Sequence, residues 1–290
     1  MPKNNTPHTA TRAVNVASVP QRSPFRYPGG KTWLAPQARA WIASQPTRPK
    51  RFVDVFTGGG SMALLAAAED LADETVMIEL DPGVAAVWRV IIDGDHEVLA
   101  QRILDFDLTL EAVQAELASR STSTQALAFR TILKNRVNRG GILAPGAGLI
   151  KAGEANKGLA SRWYPETLAR RIREIAEYRE RIRFIEGDCF PEMEALLEDP
   201  ETLFFIDPPY TAGGKRAGSR LYLHSEVDHE RLFELAAKAA GDVLLTYDNA
   251  DEVKELAERY GLVYRPVAMR NTHNSPMNEL LIGKDLGWVL

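Results

Sequence analysis

A single cysteine, Cys189, stands in 290 residues, which excludes an intramolecular disulfide and a Cys-rich structural zinc site. Histidine is also scarce. His224 and His229 flank Asp228, but no third ligand is in reach, so no metal site is expected. No apolar run is long enough to cross a bilayer. The stretch 1–21 is polar and rich in Asn, Thr and Pro, without the apolar core of a secretory signal. The expectation is a disordered tail over 1–23 on a cytoplasmic chain with no membrane partner. An excess of positive charge is missing too, the formal net charge being -4, which by itself argues weakly against a nucleic-acid partner.

The charge is unevenly spread. Residues 130–183 hold 13 Lys/Arg against 5 Asp/Glu, a local balance of +8 that leaves -12 on the remainder. A basic segment on an acidic body suggests a phosphate-facing module; the alternative is a helix with a solvated charged face. With 45% hydrophobic residues the chain can bury a substantial core, and one large domain with a smaller insertion is expected.

Local patterns give an α/β order. Strands are expected over 51–56, 75–80, 183–186 and 243–247, with an antiparallel pair over 263–269 and 278–282. Helices are expected over 32–44, 62–68 (capped by Ser61), 107–119, 125–136 and 165–183; Leu168, Ile172, Ile175 and Ile182 fall on one face of the last. The Gly-rich stretch 140–158 is too long for an ordinary connection, which marks it as functional. Tryptophans 33, 41, 88 and 163 read as packing residues, and Cys189 as a small buried one.

Two motifs carry chemistry. The first is Asp207-Pro208-Pro209-Tyr210, after the apolar strand Leu203-Phe204-Phe205-Ile206. It delivers an acid to the carboxyl end of a strand, where open α/β sheets bind ligands. The prolines remove two backbone donors, leaving a cluster made mostly of acceptors beside an aromatic ring. Such a cluster suits an exocyclic amino group. The second motif is Phe56-Thr57-Gly58-Gly59-Gly60-Ser61, where glycine lets the backbone approach a ligand. Gly58, Gly60 and Ala63 also satisfy the dinucleotide fingerprint, with Glu79 about 20 residues on as a ribose-binding acid. An NAD(P)-dependent oxidoreductase therefore stands as an alternative at this point. Gly30-Lys31-Thr32 ends like a Walker A loop, but Phe25 stands where its first glycine belongs, so a nucleoside triphosphatase is rejected. Asp54 within its strand, the Pro-Gly-Gly-Lys loop upstream and Asp-Pro-Pro-Tyr downstream have no standard role in hydride transfer. They favour a methyl-donor site.

In order and separation, Arg26-Tyr27-Pro28-Gly29-Gly30-Lys31, Phe52 to Ser61 and Phe205 to Tyr210 resemble the Dam-like DNA adenine-N6 methyltransferase family, over about 24–285. Asn278-Glu279-Leu280-Leu281-Ile282 is similar to its closing strand. The resemblance implies a Rossmann-like class I methyltransferase sheet with helices on both faces. The catalytic S-adenosylmethionine-binding domain would be 24–104 and 184–290, and a mainly helical target-recognition domain would occupy 105–183. It implies S-adenosylmethionine as cofactor, double-stranded DNA as partner, and a monomer. Tyr27, Gly29, Gly30 and Lys31 would line the methionine end of the donor. Asp54, Phe56, Gly58, Gly59, Gly60 and Ser61 would shape its pocket, with Asp54 near the ammonium. Glu79, or alternatively Asp81, would bind the ribose, and Asp188 the donor's adenine, unless Asp188 is only a turn residue. Asp207 and Pro208, with Pro209 shaping the turn, would grip the target amino group, and Tyr210 would stack on the flipped base. Lys134, Asn135, Arg136, Asn138 and Arg139 are placed to reach phosphates or base edges. The same cluster can serve cytosine N4 or RNA adenine, and the recognised sequence is not implied.

Overall fold

The computed structural model describes residues 19–26, 29–210, 226–270 and 276–289. Their strands are β1 (Arg51–Asp54), β2 (Glu74–Glu79), β3 (Ile182–Glu186), β4 (Thr202–Ile206), β5 (Val243–Asp248), β6 (Val263–Arg270) and β7 (Pro276–Gly283). They form one sheet in the order β3-β2-β1-β4-β5-β7-β6. The first five are parallel, and β7 runs antiparallel to both β5 and β6. This is the Rossmann-like class I methyltransferase arrangement expected from the sequence. The strand order reverses direction between β1 and β4, so their carboxyl ends flank the switch-point crevice of an open parallel sheet.

Strand β4 shows why these residues hold the centre. All five are buried, and the period of two divides them between two cores. Phe204 and Ile206 pack with α8 (Cys189–Ala195), α9 (His229–Lys238) and α10 (Asp251–Arg259). Leu203 and Phe205 pack on the other face with α1 (Ala35–Ala43) and α2 (Ser61–Ala68). A strand apolar on both sides has no solvent face and must be internal.

The insertion follows α3 (Pro82–Ile92) and comprises α4 (His96–Asp105), α5 (Leu110–Ala118), α6 (Thr124–Val137) and α7 (Pro165–Glu177). Its apolar faces join one continuous core with α2 and α3, running from Leu64 and Trp88 through Phe129, Ile132 and Trp163 to Ile172. The helix expected to reach residue 183 stops at Glu177, and a 3-10 turn, Arg179–Arg181, intervenes. Ile182 lies seven residues after Ile175 and so matches the helical period, but it opens β3 and pairs with Thr75. Among the described residues no helix is long and apolar enough to cross a membrane.

Candidate functional site

The crevice is built from the ends of β1, β2 and β4 and the turns that follow them. After β1, Val55 N–H still donates to Phe205 C=O at 2.9 Å, and Thr57 N–H reaches across to Ile78 C=O at 3.0 Å. The chain then turns through Gly58 and Gly60, both with positive φ. Gly60 (φ 67°) precedes α2, and a Cβ there would lie 2.9 Å from Cζ2 of Trp88. Trp88 is fully buried, as expected of a packing residue, but it also donates Nε1–H to Gly58 C=O at 3.0 Å and so fixes the turn. Ser61 is the first residue of α2 and makes no side-chain cap. Instead its hydroxyl accepts the Lys31 N–H at 3.3 Å, a correction to its expected role.

Two carboxyl groups, Asp54 and Glu79, meet this turn and the helix start that follows it. Asp54 is buried at the end of β1; its Oδ2 accepts Ala63 N–H at 3.2 Å, while Oδ1 has no partner among the described residues. Burial pushes this carboxyl well above the ordinary range, and the charges of Asp207 and Glu79 add to the rise. A buried, orphaned acceptor is satisfied when a cation enters, and that fits an ammonium group. Glu79 ends β2. Its Oε2 accepts Gly58 N–H and its Oε1 accepts Asp81 N–H, both at 2.8 Å. Burial raises it to about 7, against the hydrogen bond from Asp81 N–H. Asp81 itself is committed to capping α3, with Oδ1 accepting from Gly83 and Val84. Of the two alternatives, Glu79 is bonded to the glycine turn, while Asp81 caps α3. Asp188 caps α8 through Oδ1 to Phe190 N–H and is otherwise exposed. Phe56 is half-buried at the rim of the turn.

Asp207 follows β4 directly. Its Oδ1 receives Lys31 Nζ at 2.9 Å, Thr246 Oγ1–H at 2.7 Å and Tyr210 Oη–H at 3.1 Å. Its Oδ2 has no hydrogen bond to a described residue. Lys31 is 2% exposed; its ammonium also donates to Gly29 C=O at 2.9 Å and lies 3.6 Å from Glu279 Oε2. Tyr210 Oη–H is shared between Asp207 and Glu279, the latter at 3.2 Å. Lys31 thus spans the site, its backbone N–H held by Ser61 at the end of the glycine turn at 3.3 Å and its ammonium by Asp207 at 2.9 Å.

Several of the expected residues have partners that the sequence did not show. Lys31 turns toward Asp207 rather than simply lining a donor pocket. The Tyr210 ring, expected to stack on a base, stacks on Tyr247 at 5.7 Å and 20°, with Lys31 Nζ 5.0 Å from its centroid. Glu279 and Thr246 were not read from the sequence as site residues. The available signal for Glu279 was a lone acid on an apolar strand. Tyr27 lies outside the described residues, while Gly29, Gly30 and Gly59 border the crevice as loop backbone. Pro208 and Pro209 continue the turn beyond Asp207. Cys189 is buried and its thiol is pushed up to about 12 by that burial, so it is no nucleophile.

The five expected nucleic-acid contacts fare differently. Asn135 is fully buried. It clamps the Arg26 backbone, accepting its N–H at 2.8 Å and donating to its C=O at 3.1 Å, and it also donates to Gly141 C=O at 2.7 Å. Asn138 is buried on Ile142 C=O, Lys134 donates to Leu143 C=O, and Arg136 is buried against Pro24 C=O. These four side chains hold loops together through carbonyls, and only Arg139 is exposed. Among the described residues no cluster of His, Cys, Asp and Glu could hold a metal ion.

No known family profile matches the chain, and no curated protein is significantly similar to it. Among solved structures it is similar to a candidate RNA methyltransferase from Pyrococcus horikoshii, at 10% identity over 92% of this chain and 92% of that one, with a TM-score of 0.41. The precorrin-6y C5,15-methyltransferase of Geobacter metallireducens gives 10% identity, 89% and 92% coverage and a TM-score of 0.41. The precorrin 8W decarboxylase of Methanobacterium thermoautotrophicum gives 12%, 94% and 96%, and 0.35. At such values the chemistry of this chain rests on its own residues.

Proposed function

We propose that the chain transfers a methyl group from S-adenosylmethionine to an exocyclic amino nitrogen of a nucleobase, with adenine N6 in double-stranded DNA as its substrate. The observation that carries this reading is the Asp207 carboxylate. Three donors saturate one oxygen and leave the other unspent at the switch-point crevice, and a single buried lysine ties it to the glycine turn.

When bound, S-adenosylmethionine supplies an electrophilic methyl group. Asp54 Oδ1 would take its ammonium, Glu79 its ribose hydroxyls, and the Gly58–Gly60 backbone would pass close alongside. Asp188 keeps one oxygen for the adenine amino group. Toward the substrate, Asp207 Oδ2 and the Pro208 carbonyl accept the two amino hydrogens. This favours a pyramidal nitrogen, whose lone pair is otherwise delocalised into the ring. As the N–C bond would form, the donor's S–CH3 bond would break with its electron pair leaving on the thioether sulfur, and positive charge would pass to that nitrogen. One ammonium, Lys31, stands against two carboxyl groups, Asp207 and Glu279, and a fixed excess of acceptors stabilises that charge. Asp207 Oδ2 is placed to take the proton that the methylated nitrogen sheds. The target base must leave its stack to reach this crevice. The segment 105–183 is the proposed target-recognition face, because Asn135 anchors it to the Arg26 backbone shortly before the Gly-Gly-Lys loop.

Labelled-donor transfer followed by nucleoside analysis tests the reading. The expected product from duplex DNA is N6-methyladenine. N4-methylcytosine, or label only in RNA, would move the substrate class, and no transfer to any nucleic acid would overturn it.

Glu79 gives a second test. Its carboxyl ionises near 7 instead of the ordinary 4.5, and hydroxyl donors prefer the ionised form. Donor affinity should therefore weaken as pH falls through 7, by about tenfold between pH 8 and pH 6. Stability runs the other way: a raised folded-state pKa means that ionising Glu79 costs stability as pH rises from 4.5 through 7. Calorimetric titration of Glu79→Gln should give a flat pH profile. A profile that survives the substitution would assign the ribose contact elsewhere.

A further inference from the structure

Much of the basic segment is already neutralised. Arg173 pairs with Glu97, Arg183 with Glu192 and Glu74, Arg170 with Glu174, and Arg181 with Asp70. Arg26, Arg136 and Arg171 are different, because none of the three is ion-paired among the described residues. They also lie together. Arg136 Nη2 donates to Pro24 C=O and Arg171 Nη1 to Ser23 C=O at 2.9 Å, which are consecutive carbonyls of one segment. Arg26 follows two residues later, its backbone clamped by Asn135, the neighbour of Arg136. Each of the two anchored guanidinium groups keeps a buried Nε–H with no partner. The Arg26 guanidinium makes no hydrogen bond at all to a described residue, although the residue is half-buried.

Uncompensated buried charge is expensive, and it persists where a ligand supplies the opposite sign. The cost registers on the groups themselves. Burial lowers Arg136 to about 9, and the charges of Arg171, Arg26 and Arg162 push in the same direction. Arg26 is lowered by burial and then by Arg162. Planar guanidinium groups converging with unspent N–H donors match a tetrahedral oxyanion, which accepts several charge-assisted bonds at once.

The backbone around the cluster is fixed. Gly141 has φ 75°, and a Cβ there would lie 2.3 Å from the Arg26 carbonyl oxygen, so the loop after α6 is held tightly against this segment. The chain then runs from Arg26 to Lys31, whose ammonium meets Asp207.

We infer that Arg26, Arg136 and Arg171 form a binding site for a phosphate group, and that the group is a phosphodiester of the strand carrying the target base. Arg26 and Arg171 make the contacts, and Arg136 supplies buried charge behind them. The site itself stands on the unpaired guanidinium groups; only the source of the phosphate rests on the nucleic-acid reading above. A phosphate held five residues upstream of Lys31 would register the backbone of the extruded nucleotide against the amino-group site.

The test pairs Arg26→Gln with Arg170→Gln. The Arg26 guanidinium makes no hydrogen bond to a described residue, and the backbone bonds to Asn135 survive its replacement, so the fold should stay intact. Arg170 is exposed, pairs with Glu174 and serves as a charge-matched control. In the first arm, inorganic phosphate is compared with chloride at matched ionic strength by thermal melting. Phosphate should raise the melting temperature of the wild type and of Arg170→Gln, and not that of Arg26→Gln. In the second arm, duplex affinity is followed against salt. Arg26→Gln should lower the slope of log K against log salt by about one, and Arg170→Gln should change it little. A lowered slope without an effect of free phosphate still supports a strand phosphate. Protection by phosphate with an unchanged slope overturns the strand assignment in favour of a free anion. No effect in either arm overturns the site. If the wild type binds no nucleic acid, the functional reading fails, and the phosphate arm alone decides whether the site exists.

Discussion

Asp207→Asn is expected to lower the rate of methyl transfer by about a thousandfold while donor affinity stays within about twofold of the wild type. The reason lies in how the side chain is held. Lys31 Nζ, Thr246 Oγ1–H and Tyr210 Oη–H all point at Oδ1. An asparagine in this position must turn its carbonyl oxygen toward those three donors, which puts its NH2 group where Oδ2 stood. The substrate amino group would then meet two donors in place of an acceptor. The variant thus inverts the hydrogen-bonding sense of the crevice at constant volume. Lys31 keeps Glu279 and Gly29 C=O, so the fold should lose no more than about 2 kcal/mol. Single-turnover transfer with labelled donor, beside calorimetric donor binding, separates the two effects. Transfer within tenfold of the wild type would show that Asp207 does not grip the amino group.

The same carboxylate marks the limit of what sequence reveals. Its place at a strand tip was legible because Leu203 to Ile206 form an uninterrupted apolar run ending in an acid and two prolines. The glycine turn and the acid ending β2 were legible for the same reason: the chemistry sits at the end of a periodic element. The partners that aim Asp207 were not. Thr246 meets it only because β5 lies beside β4, and Glu279 meets Lys31 and Tyr210 only because β7 returns antiparallel beside β5. No local pattern encodes that neighbourhood. Glu279 could be suspected only as an acid among Leu280, Leu281 and Ile282, and Thr246 looked like an ordinary strand residue.

Charge composition misled in an instructive way. The balance of +8 over 130–183 was real, but several of those arginines pair with acids from elsewhere in the chain, such as Glu97, Glu74 and Glu192. Asn135, Arg136 and Asn138 read as exposed contacts because they are polar and clustered. In the folded chain they are buried, where α6 packs against the loops at 23–26 and 140–143. Polar residues inside a buried helix face signal backbone clamping, and a hydrophobicity pattern alone does not separate that role from solvent exposure.

Lys31→Met should produce the second large effect, and here stability and activity are expected to part. The lysine ammonium is the only cation among the described residues that pairs with Asp207 and Glu279. Its removal leaves two carboxyl groups bridged by Tyr210 Oη–H with nothing to neutralise them. Breaking a buried pair from one side costs about 3–5 kcal/mol, and the 20% exposure of the Asp207 side chain brings the expectation to about 2–3. The loss should depend on pH. Burial already raises the Glu279 carboxyl, and the Lys31 charge is the largest influence holding it down, so the substitution raises it further. A carboxyl whose folded-state pKa exceeds its unfolded value is neutral in both states at low pH and costs nothing there. The cost grows as pH rises from the unfolded value to the folded-state value and is complete above it. Urea melts should therefore bring Lys31→Met nearest the wild type at acidic pH and furthest from it at alkaline pH. Adding Glu279→Gln removes one of the two facing charges and should recover about 1–2 kcal/mol at pH 8, well beyond additivity. Methyl transfer should not recover, because Asp207 Oδ1 still lacks the ammonium that joined it to the glycine turn. Parallel pH profiles, or additive losses within about 0.5 kcal/mol, would mean that the two carboxyl groups are not coupled through Lys31.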